Sequence, residues 1–317
     1  MSGTQGKIGL FLMSDKNRHQ LAARDEAVAK AKRHGLALEV FFADNIAAQQ
    51  SRDVIHFLHA NAEQRLCIIC MPVADIDSST TAVGDHPIHK LARRVAARGA
   101  GWIVLNRDAE AQVNELHKEF PAVPVALVTP DQKEFGRIQG RQFRALLPRG
   151  GRVLYVLGNP FVSASRDRSA GVREIIRGDR DIAIDEVDGL WAADKAKAAV
   201  AKWLAQAAQR DAWPDVVGCQ NDEMALGARD ALLQGAAQFG RPALAKVPVT
   251  GGDGLPEFGQ KWVAERKLAA TVVLPTTTGI AIDQLAHAWQ TGRPMPLKTV
   301  VPVAPFPDLA RLAAARD

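Results

Sequence analysis

The chain has 317 residues, of which 47% are hydrophobic and 24% charged. That composition is ordinary for a globular protein and excludes a disordered one, and the length gives a soft prior of about two domains. Three cysteines exclude a disulfide scaffold, and no apolar run approaches the roughly 20 residues of a membrane helix. The net charge is +5, but the basic residues are mixed with acids along the chain. Lys30, Lys32, Arg33 and His34 end one predicted helix, and Arg93, Arg94 and Arg98 end another, where cations favour the macrodipole. They read as solvated faces and not as a nucleic-acid track.

In chain order, short apolar runs alternate with longer amphipathic ones. Residues 7–13 (KIGLFLM) predict a buried strand, 21–34 a helix stopped by Gly35, and 36–42 (LALEVFF) a second strand. A helix over 48–60, a strand over 66–71 (LCIICM), a helix over 88–98, and strands over 102–105 (WIVL) and 123–127 follow. The pattern then restarts. Helices are predicted over 131–147, 164–177, 194–209, 222–234, 256–265 and 277–289. Strands are predicted over 152–157, 182–187, 216–220, 247–251 and 269–274, with one more at 299–303. Such β-α alternation specifies an α/β protein of two doubly wound halves with parallel sheets.

Ligands of open parallel sheets bind beyond the carboxyl ends of the strands. The residues there are Ser14–Gln20, Asn106–Arg107, Gly158–Pro160, Asn221–Glu223, Gly252–Gly254 and Pro275–Thr278. They are polar, rich in bidentate donors and acceptors, and suit a small polar molecule. Motifs of chemistry are missing: no GxxxxGK[ST], no GxGxxG, no GxSxG and no HExxH. Cys67 and Cys70 form a CxxC, but residues three apart on a strand point to opposite faces, so both read as core. The eight histidines have no ligand spacing. Neither a catalytic residue, nor a metal site, nor a cofactor is expected.

Four segments carry a family likeness: 164–171 (ASRDRSAG), 219–228 (CQNDEMALGA), 251–256 (GGDGLP) and 269–279 (AATVVLPTTTG). Asn106-Arg107 after a strand adds a fifth. The chain resembles the periplasmic sugar-binding proteins of ABC transporters, ribose/galactose type (type I periplasmic binding proteins), over nearly its whole length from Lys7. The resemblance implies two Rossmann-like lobes joined by a three-strand hinge, with the ligand in the cleft between them. The N-terminal lobe would hold residues 1–128 plus 275–302, and the C-terminal lobe 129–274 plus 303–317. It implies ligand contacts at Asn106, Arg107, Arg166, Asn221 and Asp253, with Trp191 stacking on a sugar ring.

The polar stretch after strand one places Asn17, Arg18 and His19 where family members often carry aromatics, and Val273-Leu274 stands where they often have a glutamine. The first-lobe half of the pocket is therefore re-lined. Arg18, His19, Arg107 and Arg166 together suggest a sugar acid or another anionic polyol. Asn221 and Asp253 also suit helix caps.

The function implied is capture of a sugar-like small molecule by hinge closure and delivery to an ABC transporter permease, as a monomer in the periplasm. MSGTQG before the first strand reads as a trimmed or mature start. The alternative is the effector-sensing domain of a sugar-responsive transcription regulator or of a membrane receptor system.

Overall fold

The computed structural model describes residues 6–62, 64–73, 87–178 and 181–314. The chain divides into two compact units and changes unit at three places, after Pro130, after Pro275 and after Val301.

The first unit opens with β1 (Lys7–Leu12), α1 (Arg18–His34), β2 (Ala37–Phe42), α2 (Ala47–Ala60) and β3 (Leu66–Cys70). It continues with α3 (Pro87–Ala96), β4 (Gly101–Leu105), α4 (Glu110–Glu119) and β5 (Val125–Pro130). The second unit follows with α5 (Gln132–Leu146), β6 (Gly151–Leu157), α6 (Ser163–Ile176), β7 (Ile182–Asp188), α7 (Ala193–Arg210) and β8 (Val216–Cys219). It goes on through α8 (Asp222–Gln238), β9 (Val249–Thr250), α9 (Lys261–Ala264) and β10 (Thr271–Val273). The chain returns to the first unit for α10 (Thr278–Thr291) and β11 (Lys298–Val301), then ends in the second with β12 (Ala304–Phe306) and α11 (Leu309–Ala314).

The first unit's sheet has the order β11-β5-β4-β3-β1-β2, with every pairing parallel. Parallel sheets need apolar strands covered on both faces, and β3 and β4 are buried at every residue. Alternation assigns the faces. Cys67 and Ile69 pack with Ala281, Ile282 and Leu285 of α10, whereas Ile68 and Cys70 pack with Val54, Leu91 and Val95 of α2 and α3. The two thiols therefore lie on opposite faces. Burial pushes the Cys70 thiol up to about 12 and raises that of Cys67 further, which makes both inert. Helix α1 is capped at both ends: Asn17 Oδ1 accepts from the Gln20 N–H at 3.1 Å, and Gly35 closes it at φ 65°.

The second unit's parallel sheet has the order β7-β6-β8-β9, and a separate antiparallel pair joins β10 to β12. Helices α5 and α6 meet backbone to backbone. A Cβ on Gly136 would fall 1.9 Å from the Arg168 carbonyl oxygen, and one on Gly171 2.1 Å from that of Lys133. Glycine is what allows this approach.

The structure differs from the sequence-based expectation in four places. Helix α4 was not expected, because its buried face is only Gln112, Val113 and Leu116. The single helix expected over 256–265 is a π turn, Pro256–Gln260, followed by α9. The strand expected over 247–251 is only Val249–Thr250. The tail adds β12 and α11 beyond β11.

Candidate functional site

Each unit gathers polar side chains at the carboxyl ends of its own strands. In the second unit the centre is Arg168, on α6. Its neighbours along the helix explain the placement: Ala164, Ser165, Arg168, Ser169, Gly171 and Val172 are all buried, a stripe of helical period. Arg166 falls off that stripe and is exposed. Of the two arginines of the ASRDRSAG segment, the buried one is thus Arg168, which the sequence reading passed over.

The Arg168 guanidinium lies 3.8 Å from the centre of the Phe135 ring and 5.3 Å from that of Trp191. Its Nε donates to Gln132 Oε1 at 2.8 Å, and its Nη1 donates to the Gln220 carbonyl. Among the described residues, its Nη2 makes no hydrogen bond. Burial lowers the guanidinium's affinity for its proton, and the carboxylates of Asp253 and Asp222 oppose that shift.

Asp253 stands in the turn after β9 at φ 92°, followed by Gly254 at φ 56°. These are conformations that favour glycine, so the Gly252-Asp253-Gly254 sequence forces the aspartate into a fixed place. Its main chain is held by the Leu274 N–H, which donates to the Asp253 carbonyl at 3.0 Å. Burial pushes the Asp253 carboxyl up to about 7, against the pull of Arg168. Beneath it, Asp222 accepts from the Gly254 N–H at 2.8 Å and from Thr271 Oγ1 at 2.7 Å. Asp222 is likewise held well above the usual carboxylate range, first by burial and then by the charge of Asp253.

Asn221 caps α8: its Oδ1 accepts from the Met224 N–H at 2.9 Å, and its Nδ2 donates to the Trp191 carbonyl at 3.2 Å. Both ends of the amide are therefore engaged, and one of them fixes the loop that carries Trp191. The Trp191 backbone is at φ 66°, and its ring lies over Gly158, where a Cβ would come within 2.1 Å of it. The floor is a network of glutamines. Gln220 Oε1 accepts from the Gly158 N–H at 2.9 Å and from Ser165 Oγ at 2.8 Å, while its Nε2 donates to Ser169 Oγ at 3.0 Å. Tyr155 Oη donates to Gln139 Oε1 at 2.6 Å, and Gln139 Nε2 donates to the Cys219 carbonyl at 2.7 Å. Such a satisfied buried network holds its members in one arrangement.

In the first unit, Arg107 is buried and tied to its own surroundings. Nε and Nη2 donate to the Pro72 carbonyl at 3.1 and 2.7 Å, and Nη1 donates to the Asn106 carbonyl at 2.9 Å. Asn106 is buried at φ 56°, and its Oδ1 accepts from Thr277 Oγ1 at 2.8 Å. That bond joins the end of β4 to the returning segment before α10, which Glu26 also holds through Thr276, Thr278 and the Gly279 N–H. Asn17 caps α1, Arg18 on the first turn is exposed, and His19 is buried.

A family model described as "Periplasmic binding protein domain" matches residues 94–289. The chain belongs to that family. Among individual proteins, the putative rhizopine-binding protein of Rhizobium meliloti is 25% identical over 201 residues, 62% of this chain and 58% of that protein. The D-galactose/methyl-galactoside binding periplasmic protein of Haemophilus influenzae is 31% identical over 180 residues, 52% of this chain and 51% of that protein. The chain thus spans little more than half the length of these curated relatives. The solved ABC transporter periplasmic solute binding protein of Actinobacillus succinogenes 130z, with bound D-allose, superposes with a TM-score of 0.78. That likeness, at 20% identity, covers 98% of this chain and all (100%) of that one, and shows the shared two-lobed α/β fold. Among the described residues of this periplasmic binding protein, no helix is long and apolar enough to cross a membrane.

Proposed function

We propose that this chain is a solute-binding protein that captures a sugar or sugar-like polyol, closing its two units on the ligand, and delivers it to an ABC transporter permease in the periplasm. The observation that carries the reading is Arg168, a buried guanidinium flanked by Phe135 and Trp191 with Asp253 acting on its charge. A guanidinium fork and a carboxyl together serve neighbouring hydroxyls, one donating and one accepting, while an indole face covers the C–H face of a pyranose. Binding needs no covalent chemistry: contacts made only in the closed state shift the population toward it.

The charge balance favours a neutral ligand over a sugar acid. In the second unit the buried Arg168 guanidinium is already faced by Asp253 and Asp222, whose charges act on it. In the first unit, Arg107 already spends its fork on the Pro72 and Asn106 carbonyls.

The test is a thermal-shift panel of neutral pentoses, hexoses and inositols beside the matching sugar acids, on protein stripped of ligand by unfolding and refolding. A ligand at 100 times its Kd stabilises the folded state by about 2.7 kcal/mol. A neutral polyol that raises the melting temperature supports the reading. Shifts from sugar acids alone would overturn the neutral class, and silence across the panel would overturn sugar binding.

A further inference from the structure

The second unit carries another cavity, of about 900 Å³, remote from Arg168. Val247, Pro248 and Val249 line it and lead into β9. Asn221 and Asp253 instead follow the carboxyl ends of β8 and β9, so the cavity and the ligand site occupy opposite ends of one sheet. Its volume lies within the range of small-molecule pockets, about 300–1,000 Å³.

Its charge is one-sided. Among the described residues, five cations line it, Arg229, Lys246, Arg266, Lys267 and Arg311, and no aspartate or glutamate does. The cations come from four separate places: α8, the 3₁₀ turn Pro242–Lys246, the turn after α9, and α11. Lys267 is paired with Glu265 at 2.7 Å. Among the described residues, Arg229, Lys246, Arg266 and Arg311 have no ion pair. The nearest acid in sequence to Arg311 is Asp308, and it accepts from the Arg311 backbone N–H at 2.8 Å.

The floor between the cations is apolar. Leu146, Leu232, Val249 and Leu312 are buried there, and Phe306 and Val263 are half-buried. An inorganic ion would leave that floor unused, and a polynucleotide would need cations along an extended track, whereas these converge on one cavity. Converging like charges over low-dielectric walls raise the local concentration of counter-ions.

We propose that this cavity is a second binding site, for a multiply charged organic anion with a flat apolar body, the chemistry of a nucleoside polyphosphate. The cations hold the charged end, and the floor of Leu232, Val263 and Phe306 receives the ring. This goes beyond the sugar-binding reading and does not rest on it.

The probe is ATP carrying a fluorophore on its ribose, titrated by anisotropy against the full chain in low salt. Saturable binding is expected, weakened several-fold by about 300 mM salt. An Arg229→Glu, Arg311→Glu double variant should weaken it at least tenfold, while Asp253→Asn at the sugar site should leave it unchanged. Unlabelled inorganic triphosphate should compete at least tenfold more weakly than ATP. Absence of saturable binding would overturn the site, as would binding that survives in the double variant. Equal competition by triphosphate would overturn the role of the apolar floor. A Glu-rich peptide or single-stranded DNA displacing the probe more tightly than ATP would assign the cavity to a macromolecule instead. Both reversed residues are at least partly solvent-exposed, so the double variant should keep its melting temperature and its response to the sugar panel.

Discussion

Arg166 and Arg168 are two residues apart and have opposite fates, because positions two apart on a helix point to nearly opposite sides and only the side of α6 that carries Arg168 is buried. On the proposed function Arg168 bonds the ligand, and hydrogen bonds to a charged group are worth about 1.5–3 kcal/mol each, so Arg168→Lys should weaken sugar binding by about ten- to a hundredfold. Lysine keeps the charge that Asp222 and Asp253 face, yet loses the planar fork. Arg166→Ala should change affinity less than about threefold by the measure for surface substitutions. Calorimetric titration of both variants checks the contrast, and an equal loss in both would refute it. Asp253 supplies a pH signature. Its carboxyl titrates near 7 in the fold and near about 3.9 unfolded, so the folded state binds the extra proton between those values. Stability from this group is therefore full below about pH 4, falls as pH rises to about 7, and is flat above. Urea unfolding from about pH 5 to about pH 8 should show a steeper loss in the natural chain than in Asp253→Asn; equal slopes would contradict the assignment.

Among the elements, the α5–α6 pair matters most to the site, since α5 brings Gln132 and Phe135 and α6 brings Arg168. The two helices approach through Gly136 and Gly171, each against the other's main chain. A methyl at Gly136 must push α6 away, because a carbonyl cannot give way as a side-chain tip can. Gly136→Ala should cost about 1–3 kcal/mol or more from overpacking and weaken ligand binding as Arg168 moves. Gly178→Ala is the control: its Cβ would meet nothing within 4 Å, though its φ of 89° carries backbone strain, so stability should fall without a loss of affinity. Chemical denaturation with ligand titration on the same samples separates the two. This close approach was not legible in the sequence, where both glycines sit inside ordinary helical patterns. Helix α4 escaped for the converse reason: its core contacts are made by one glutamine and two aliphatic residues.

At the scale of the whole molecule, the clusters of buried apolar residues among the described residues are built from one unit's own segments each. Two lie wholly in the first unit and three in the second. Each unit thus has a core of its own, the condition under which two-state unfolding fails. Scanning calorimetry of the ligand-free chain should give a calorimetric enthalpy above the van't Hoff value. Trp203→Ala, in the second unit's core, should lower one component of the transition by the equivalent of about 3–5 kcal/mol and spare the other. A single transition that shifts as a whole would show the units to be coupled.

The sequence by itself determined the α/β class, the parallel sheets and the places where polar residues gather, because strand and helix periods and strand ends are local properties of the chain. It also gave the family likeness, through short segments whose order and types survive. Only the tertiary structure decided which polar residues do what. Arg107 is spent on carbonyls of its own unit, Asn221 on a helix cap and the Trp191 loop, and Asp222 under Asp253. Arg229, Lys246, Arg266, Lys267 and Arg311 meet around one cavity although up to 82 residues separate them in the chain. Burial and the partner of a charge are set by segments distant in sequence, and periodicity carries no record of which segments meet.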